Sequence, residues 1–359
     1  PEILHSHDWP GALVPVYLRH LEAHAEFSST VSVLTIHNLG YQGVYPKENF
    51  EFFGLPWELF HEAGFEFHDA INLLKAGIAS ADRLTTVSPT YSREIQTSEQ
   101  GCSLDGLLRA RSASLVGILN GVDLEEWNPE TDQLLPARYS SSDLQGKARC
   151  KEALQREFGL EVDASVPLFG MVSRLTDQKG VAELFGPTYG CAFSLCNDMD
   201  LQFVVLGSGE AWCEAELQSL SVRLPNFRAR IGYSEKIAHL VEAGADFFLM
   251  PSRYEPCGLN QMYSLRYGTL PVVRRTGGLA DTVSNYDQDT GNGTGFVFDQ
   301  LSPRAIYDTA GWAVWAWYNR KEHIEVMRTR AMQKLFSWDK AAIEYLALYK
   351  EALLNVHRP

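Results

Sequence analysis

The chain lacks every cysteine pattern that would make it a stapled or zinc-bound scaffold. Its six cysteines are scattered at 102, 150, 191, 196, 213 and 257, with no C-x-x-C pair, no zinc-type quartet and no disulfide-rich spacing. A reducing compartment fits this usage best. No apolar run approaches the ~18–20 residues that a membrane span needs, and no signal-peptide pattern is present. Positive charge is scarce: 31 Lys and Arg against 45 Asp and Glu leave a net charge of −14. That argues against a nucleic-acid surface but leaves room for local basic pockets that hold phosphates. The Walker pattern G-x-x-x-x-G-K-[ST] is absent, as are internal repeats and low-complexity tracts. The chain also opens without Met: Pro1 leads directly into the strand-like Glu2-Ile3-Leu4-His5. The expectation is therefore a first domain incomplete at its N-terminus.

What is present describes an α/β protein. With 359 residues, one or two domains are expected, and 45% apolar against 21% charged residues is ordinary for a globular chain. Short apolar, β-branched runs at Ile3–His5, Val31–Ile36, Arg83–Val87 and Leu115–Leu119 predict buried parallel strands. Helical stretches separate them, including Pro10–Glu22 and Leu73–Ala79, and Ser88-Pro89-Thr90 opens another with Pro89 in its first turn. Residues 1–130 form a partial first domain on this reading, and the polar, helix-prone segment 131–165 is a linker or hinge. The second block, 166–336, has strands at Leu168–Val172, Leu201–Leu206, Arg228–Ile231, Phe247–Met250, Leu270–Val273 and Gly295–Phe298. Helices around 181–196, 210–222, 235–243, 258–267 and 302–318 alternate with them, the signature of a doubly wound sheet. The tail, 321–356, is helical. Two such domains would face each other across a cleft, with the chemistry at the carboxyl ends of their strands.

The motifs fall at those ends. Ser252-Arg253-Tyr254-Glu255-Pro256-Cys257-Gly258-Leu259 lies between a buried strand and a helix. Pro256 and Gly258 permit a sharp turn, and the N–H groups from Gly258 onward would face an anion. A sugar phosphate explains a carboxylate in that place: the sugar meets Glu255 and the phosphate meets the amides. The alternative is that Glu255 only favours the positive end of a helix. Arg174 and Lys179, in Ser173-Arg174-Leu175-Thr176-Asp177-Gln178-Lys179-Gly180, put two cations on one strand-to-helix loop, which suits a diphosphate. Arg274-Arg275-Thr276-Gly277-Gly278-Leu279 offers Thr276, Gly277 and Gly278 as a backbone phosphate cradle. Leu206-Gly207-Ser208-Gly209 lacks the third glycine of a dinucleotide fingerprint. Tyr233 could stack on a nucleobase or be an ordinary half-buried tyrosine.

In the first block, Asp8 of His5-Ser6-His7-Asp8-Trp9 reads as an acceptor for a sugar hydroxyl or as a helix N-cap. His37, at the end of Val33-Leu34-Thr35-Ile36-His37, reads as a donor to a ligand oxygen or as a satisfied core histidine. Asn120 of Asn120-Gly121-Val122-Asp123 is a polar contact or a turn residue. His5 and His7 alternate as ligands do, but no third ligand is evident, so no metal site is expected. Asp198-Met199-Asp200 precedes its strand and reads as a solvated loop at the wrong end of the sheet.

The combination of His-x-His-Asp-Trp, Thr-Ile-His-Asn-Leu-Gly-Tyr-Gln-Gly, Leu-Asn-Gly-Val-Asp, Ser-Arg-Leu-Thr-x-Gln-Lys-Gly, Pro-Ser-Arg-Tyr-Glu-Pro-Cys-Gly-Leu and Arg-Arg-Thr-Gly-Gly-Leu-Ala-Asp-Thr-Val resembles bacterial glycogen synthase and plant starch synthase, glycosyltransferase family 5. The resemblance spans nearly the whole chain. It implies a GT-B fold of two Rossmann-like domains facing a cleft, and retaining transfer of glucose from ADP-glucose to an α-1,4-glucan, glycogen or starch. No cofactor and no metal is implied, ADP-glucose being a co-substrate, and neither nucleic acid nor membrane is a partner. The location would be cytoplasmic, or plastid in a plant or alga. The resemblance puts sugar contacts on Asp8, His37, Asn120 and Glu255. Diphosphate contacts fall on Arg174, Lys179 and the backbone at Gly258 and Leu259, beside Cys257, and the base stacks on Tyr233. The final helix, 337–359, would return to the first domain. Two features depart from the family pattern. Its Lys-x-Gly-Gly-Leu segment is absent, so the chain alone is expected to be inactive until an upstream segment is restored, and Phe185–Asp200 is unusual. The other readings are a non-catalytic glucan- or nucleotide-binding fragment and a related retaining enzyme with another donor.

Overall fold

A computed structural model describes residues 1–20, 27 and 29–354. The chain divides into two compact units: 1–121 together with 338–359, and 122–337.

In unit 1 the strands are β1 (Ile3–His7), β2 (Val31–Ile36), β3 (Val44–Pro46), β4 (Glu66–Phe67), β5 (Ala70–Asn72), β6 (Arg83–Thr86) and β7 (Leu115–Gly117). Four of them form a parallel sheet in the order β1-β2-β6-β7. β2 is buried along its whole length, as an inner strand of a parallel sheet is. Its polar members are satisfied: Ser32 Oγ donates to Asp82 at 2.8 Å, and Thr35 Oγ1 lies 2.5 Å from Thr85 Oγ1. The small antiparallel sheet β3-β5-β4 has no counterpart in the sequence reading. Its strands are two or three residues long, too short to show a period. The helix expected over Pro10–Glu22 is two pieces, Asp8–Gly11 and Leu13–His20, and Leu21 and Glu22 lie outside the described residues. The helix expected to open at Ser88-Pro89-Thr90 has Pro89 in its first turn, and Ser88 caps it, accepting from Tyr91 N at 3.0 Å. The helix Trp338–Leu354 packs within this unit, Ala341 and Leu348 joining Val33 and Ile118 in one core. Asn355 and Val356 of the expected tail helix lie outside the described residues.

That helix also pins His5. The His5 ring bonds Tyr349 Oη and Thr35 Oγ1, each at 2.6 Å. Burial, followed by the neighbouring His7 and His37, pushes the His5 pKa down from 6.5 to about 4. Unfolded His5 takes its proton near pH 6.5 and folded His5 only near pH 4, so between these values the unfolded state binds more protons. Stability is therefore whole above pH 6.5 and falls as the pH drops towards 4. Amide exchange along β2 should accelerate between pH 7 and pH 4.5 beyond its intrinsic pH dependence, and His5→Gln should flatten that excess. Equal pH slopes for the two proteins would remove His5 as the cause.

In unit 2 the strands are β8 (Leu168–Leu175), β9 (Gln202–Gly209), β10 (Phe227–Ile231), β11 (Phe247–Met250), β12 (Leu270–Arg274) and β13 (Phe296–Phe298). All pair in parallel, in the order β10-β9-β8-β11-β12-β13. Numbered from β8, this is the 3-2-1-4-5-6 order of a doubly wound nucleotide-binding sheet, with its switch point between β8 and β11. Phe247, Phe248 and Leu249 are wholly buried at its centre.

Segment 131–165 is not a free linker. Its helix Gln145–Phe158 buries Cys150, Leu154 and Phe158, spaced one turn apart, in the unit 2 core with Val241. Its polar composition hid that single apolar face. The helix expected over 181–196 breaks into Val181–Phe185 and Ala192–Asp198, since Pro187 after Gly186 cannot continue a helical ladder. Asp198 and Asp200 precede β9 and accept hydrogen bonds from Tyr307 Oη and Tyr318 Oη, at 3.2 and 2.9 Å.

Candidate active site

At the switch point the carboxyl ends of β8 and β11 part, and a cavity of about 200 Å³ opens there. Arg174, Lys179, Glu255, Gly258 and Leu259 line it together with Ser173, Ser252 and Asn260. The structure thus brings five of the expected residues to one place: Arg174 from the end of β8, Lys179 from the turn after it, and the other three from the turn after β11.

Glycines let those loops approach. Gly180 has φ +69°, and a Cβ there would lie 2.0 Å from Pro251 O. Arg253 N also donates to Gln178 O at 2.9 Å. The turn carrying Lys179 is therefore seated on the turn carrying Glu255. Lys179 Nζ lies 2.6 Å from Glu255 Oε2, with both side chains largely buried. Ser252 Oγ donates to the same oxygen at 2.9 Å. The negative charge of Glu255 is thereby offset by a fixed cation. A lysine has three N–H donors, so Lys179 keeps two more while holding Glu255.

Thr276, Gly277 and Gly278 do not line the cavity, which corrects the expected phosphate cradle. Gly278 N donates to Glu255 O at 3.0 Å. A Cβ at Gly277 would fall 1.9 Å from Glu255 O, and one at Gly278 1.9 Å from Cys257 O. Thr276 is fully buried ahead of the helix Gly277–Thr282. These residues brace the Glu255 loop from behind, where only glycine admits so close a backbone. Cys257 is buried in that loop, its carbonyl accepting from Gln261 Nε2 at 2.9 Å. Tyr233 follows β10 with 82% of its surface exposed and does not line the cavity.

Two of the lining residues without an expected role hold the site together. Ser252 orients Glu255, and Asn260 Nδ2 donates to Val172 O at 2.7 Å, fastening the next helix to the end of β8. Both adjoin or begin the Glu255 motif, which was the available signal.

In unit 1, Asp8 is not a helix N-cap; His7 holds that position. Asp8 has φ +52°, and its Oδ1 accepts His37 N at 2.7 Å and Asn38 N at 3.4 Å. It ties the end of β1 to the loop after β2. His37 is not a buried core residue: its Nε2 lies 3.0 Å from His7 Nδ1 at an exposed position. The His7 pKa is lowered by burial and by His37, with Asp8 opposing. Asn120 follows β7 and is half-buried. Asp8, His37 and Asn120 belong to unit 1 and Glu255 to unit 2.

Residues 1–110 match the family described as Starch synthase catalytic domain, and residues 155–314 match that described as Glycosyl transferases group 1. A doubly wound sheet with paired cations at its switch point, in a chain with these matches, defines a glycosyltransferase of the GT-B fold. Glycogen synthase of Treponema denticola is 62% identical over 353 residues, covering 98% of this chain and 72% of that protein. Glycogen synthase 1 of Geobacter metallireducens is 49% identical over 355 residues, 98% of this chain and 70% of that protein. The catalytic domain of Starch Synthase IV from Arabidopsis thaliana, solved bound to ADP and acarbose, matches with TM-score 0.91 at 33% identity, over 99% of this chain and 73% of that one. The chain belongs to the glycogen synthase and starch synthase family.

Proposed function

We propose that the protein transfers glucose, with retention, from ADP-glucose to the non-reducing end of an α-1,4-glucan, and that the unit 2 cavity holds the donor diphosphate. The observation that carries this reading is the convergence of Arg174, Lys179, Glu255 and Gly258 on one cavity at the switch point. The ADP and acarbose bound to the Arabidopsis relative support a nucleotide donor and a glucan acceptor. As the bond to glucose breaks, negative charge grows on the diphosphate. Arg174 and Lys179 meet it without having to reorganise, and this is electrostatic catalysis that calls for no cofactor. Glu255 is assigned to the developing positive charge of the glucose. The six cysteines are free thiols, which fits the cytoplasm.

The test is transfer of label from ADP-glucose and from UDP-glucose to glycogen, with the nucleotides titrated separately by calorimetry. ADP-glucose should be the better donor. Tyr233→Ala should weaken ADP and ADP-glucose binding alike, by about 1–3 kcal/mol if a base stacks there. Equal use of UDP-glucose would move the protein to another donor, and unchanged ADP affinity would remove the stacking role.

A further inference from the structure

Away from the donor cavity, one group of three metal-ligating side chains converges among the described residues: Glu126, Glu235 and His239. One ligand atom from each lies within 4.8 Å of the other two. Glu235 and His239 are one turn apart on the helix Glu235–Gly244, so they project from the same face. Glu126 comes from a turn that Asp123 closes, its Oδ1 accepting the N–H groups of Glu125 and Glu126 at 2.9 and 3.1 Å.

Acidic side chains near a histidine are common, so the state of His239 decides the matter. Its side chain is 2% exposed, and Trp127 stacks on the ring at 3.8 Å. Nδ1 lies 2.7 Å from Asp132 Oδ2, which also accepts from Tyr267 Oη at 2.6 Å. With Nδ1 held by Asp132, the other ring nitrogen, Nε2, is left over. That nitrogen is buried and has no hydrogen-bond partner. Leaving a buried polar atom unsatisfied is costly. A carboxylate that fixes one ring nitrogen while the other is left for a cation is how metal-binding histidines are oriented.

We propose that Glu126, Glu235 and His239 Nε2 bind one divalent first-row transition ion of the Zn²⁺ type, with water completing its shell. One imidazole and two carboxylates suit that class. The ion would join the turn near the start of unit 2 to the first turn of the helix that follows Tyr233, two residues beyond that tyrosine. The sequence showed no such pattern, because Glu126 is far from the other two ligands along the chain.

The test uses the full protein stripped by chelator. Calorimetry with Zn²⁺ should show one saturable site. The E126Q/E235Q variant changes only exposed side chains and should keep the metal-free Tm while losing at least about 10-fold in affinity. Co²⁺ should give visible bands without thiolate charge transfer, a signature read on the unaltered protein. Absence of saturable binding, undiminished binding in E126Q/E235Q, or a thiolate spectrum would each overturn the assignment.

Discussion

Lys179→Ala is expected to lower kcat by roughly 100–1,000-fold, about 2.7–4 kcal/mol of transition-state stabilisation. Two losses combine. The leaving diphosphate loses a cation placed against it, and Glu255 loses the partner 2.6 Å away that offsets its charge in a largely buried site. Removing one partner of such a pair leaves the other uncompensated, which is itself destabilising. The two contributions separate in a double-mutant cycle with Glu255→Gln: if pairing matters, the effects of the two substitutions will not add. Arg174→Ala removes a cation from the same cavity without breaking the Lys179–Glu255 pair, so it should show mainly the diphosphate loss. The measurement is steady-state transfer to glycogen with kcat and KM resolved. A change confined to KM would mean that Lys179 binds ground state and transition state equally, and would count against its role.

Glu255→Gln is expected to cut glucosyl transfer by at least about 100-fold, the scale of one electrostatic stabiliser, while ADP binding persists. The amide keeps the shape of the side chain and can still meet Ser252. It loses the negative charge that would favour a cationic sugar. Because that charge opposes the diphosphate in the ground state, ADP should bind Glu255→Gln as tightly as the unaltered protein or more tightly. Label incorporation into glycogen and calorimetry with ADP read the two halves independently. Near-normal turnover would show that the charge of Glu255 is not needed, and lost ADP binding would show that the carboxylate mainly holds the loop in shape.

The cavity at the switch point was legible where its signals are local. A buried apolar run, Phe247–Met250, ends in a turn that carries Glu255, and a second strand carries Arg174 near its end and leads into the turn that carries Lys179. Strand ends in a parallel sheet are where ligands bind, so chemistry placed there was read with its position. The Thr276-Gly277-Gly278 turn was misread for the complementary reason. Two glycines before a helix look like an amide cradle, but the Gly278 amide is taken by Glu255 O and both α-carbons press on the neighbouring loop. A glycine that admits a ligand and one that admits another stretch of backbone are the same letter.

What the sequence by itself determined is the fold class, the motif set and the chemical character of each strand end. Alternating strands and helices write their periods into residues a few positions apart, and that information survives without coordinates. What only the tertiary structure decided is which of those ends meet. The 3-2-1-4-5-6 order, the pairing of Lys179 with Glu255 across 76 positions, the burial of one face of Gln145–Phe158 and the approach of Glu126 to His239 are all contacts between distant segments. Each depends on how elements pack, and the period of a single segment reports only which face it buries, not what that face will touch.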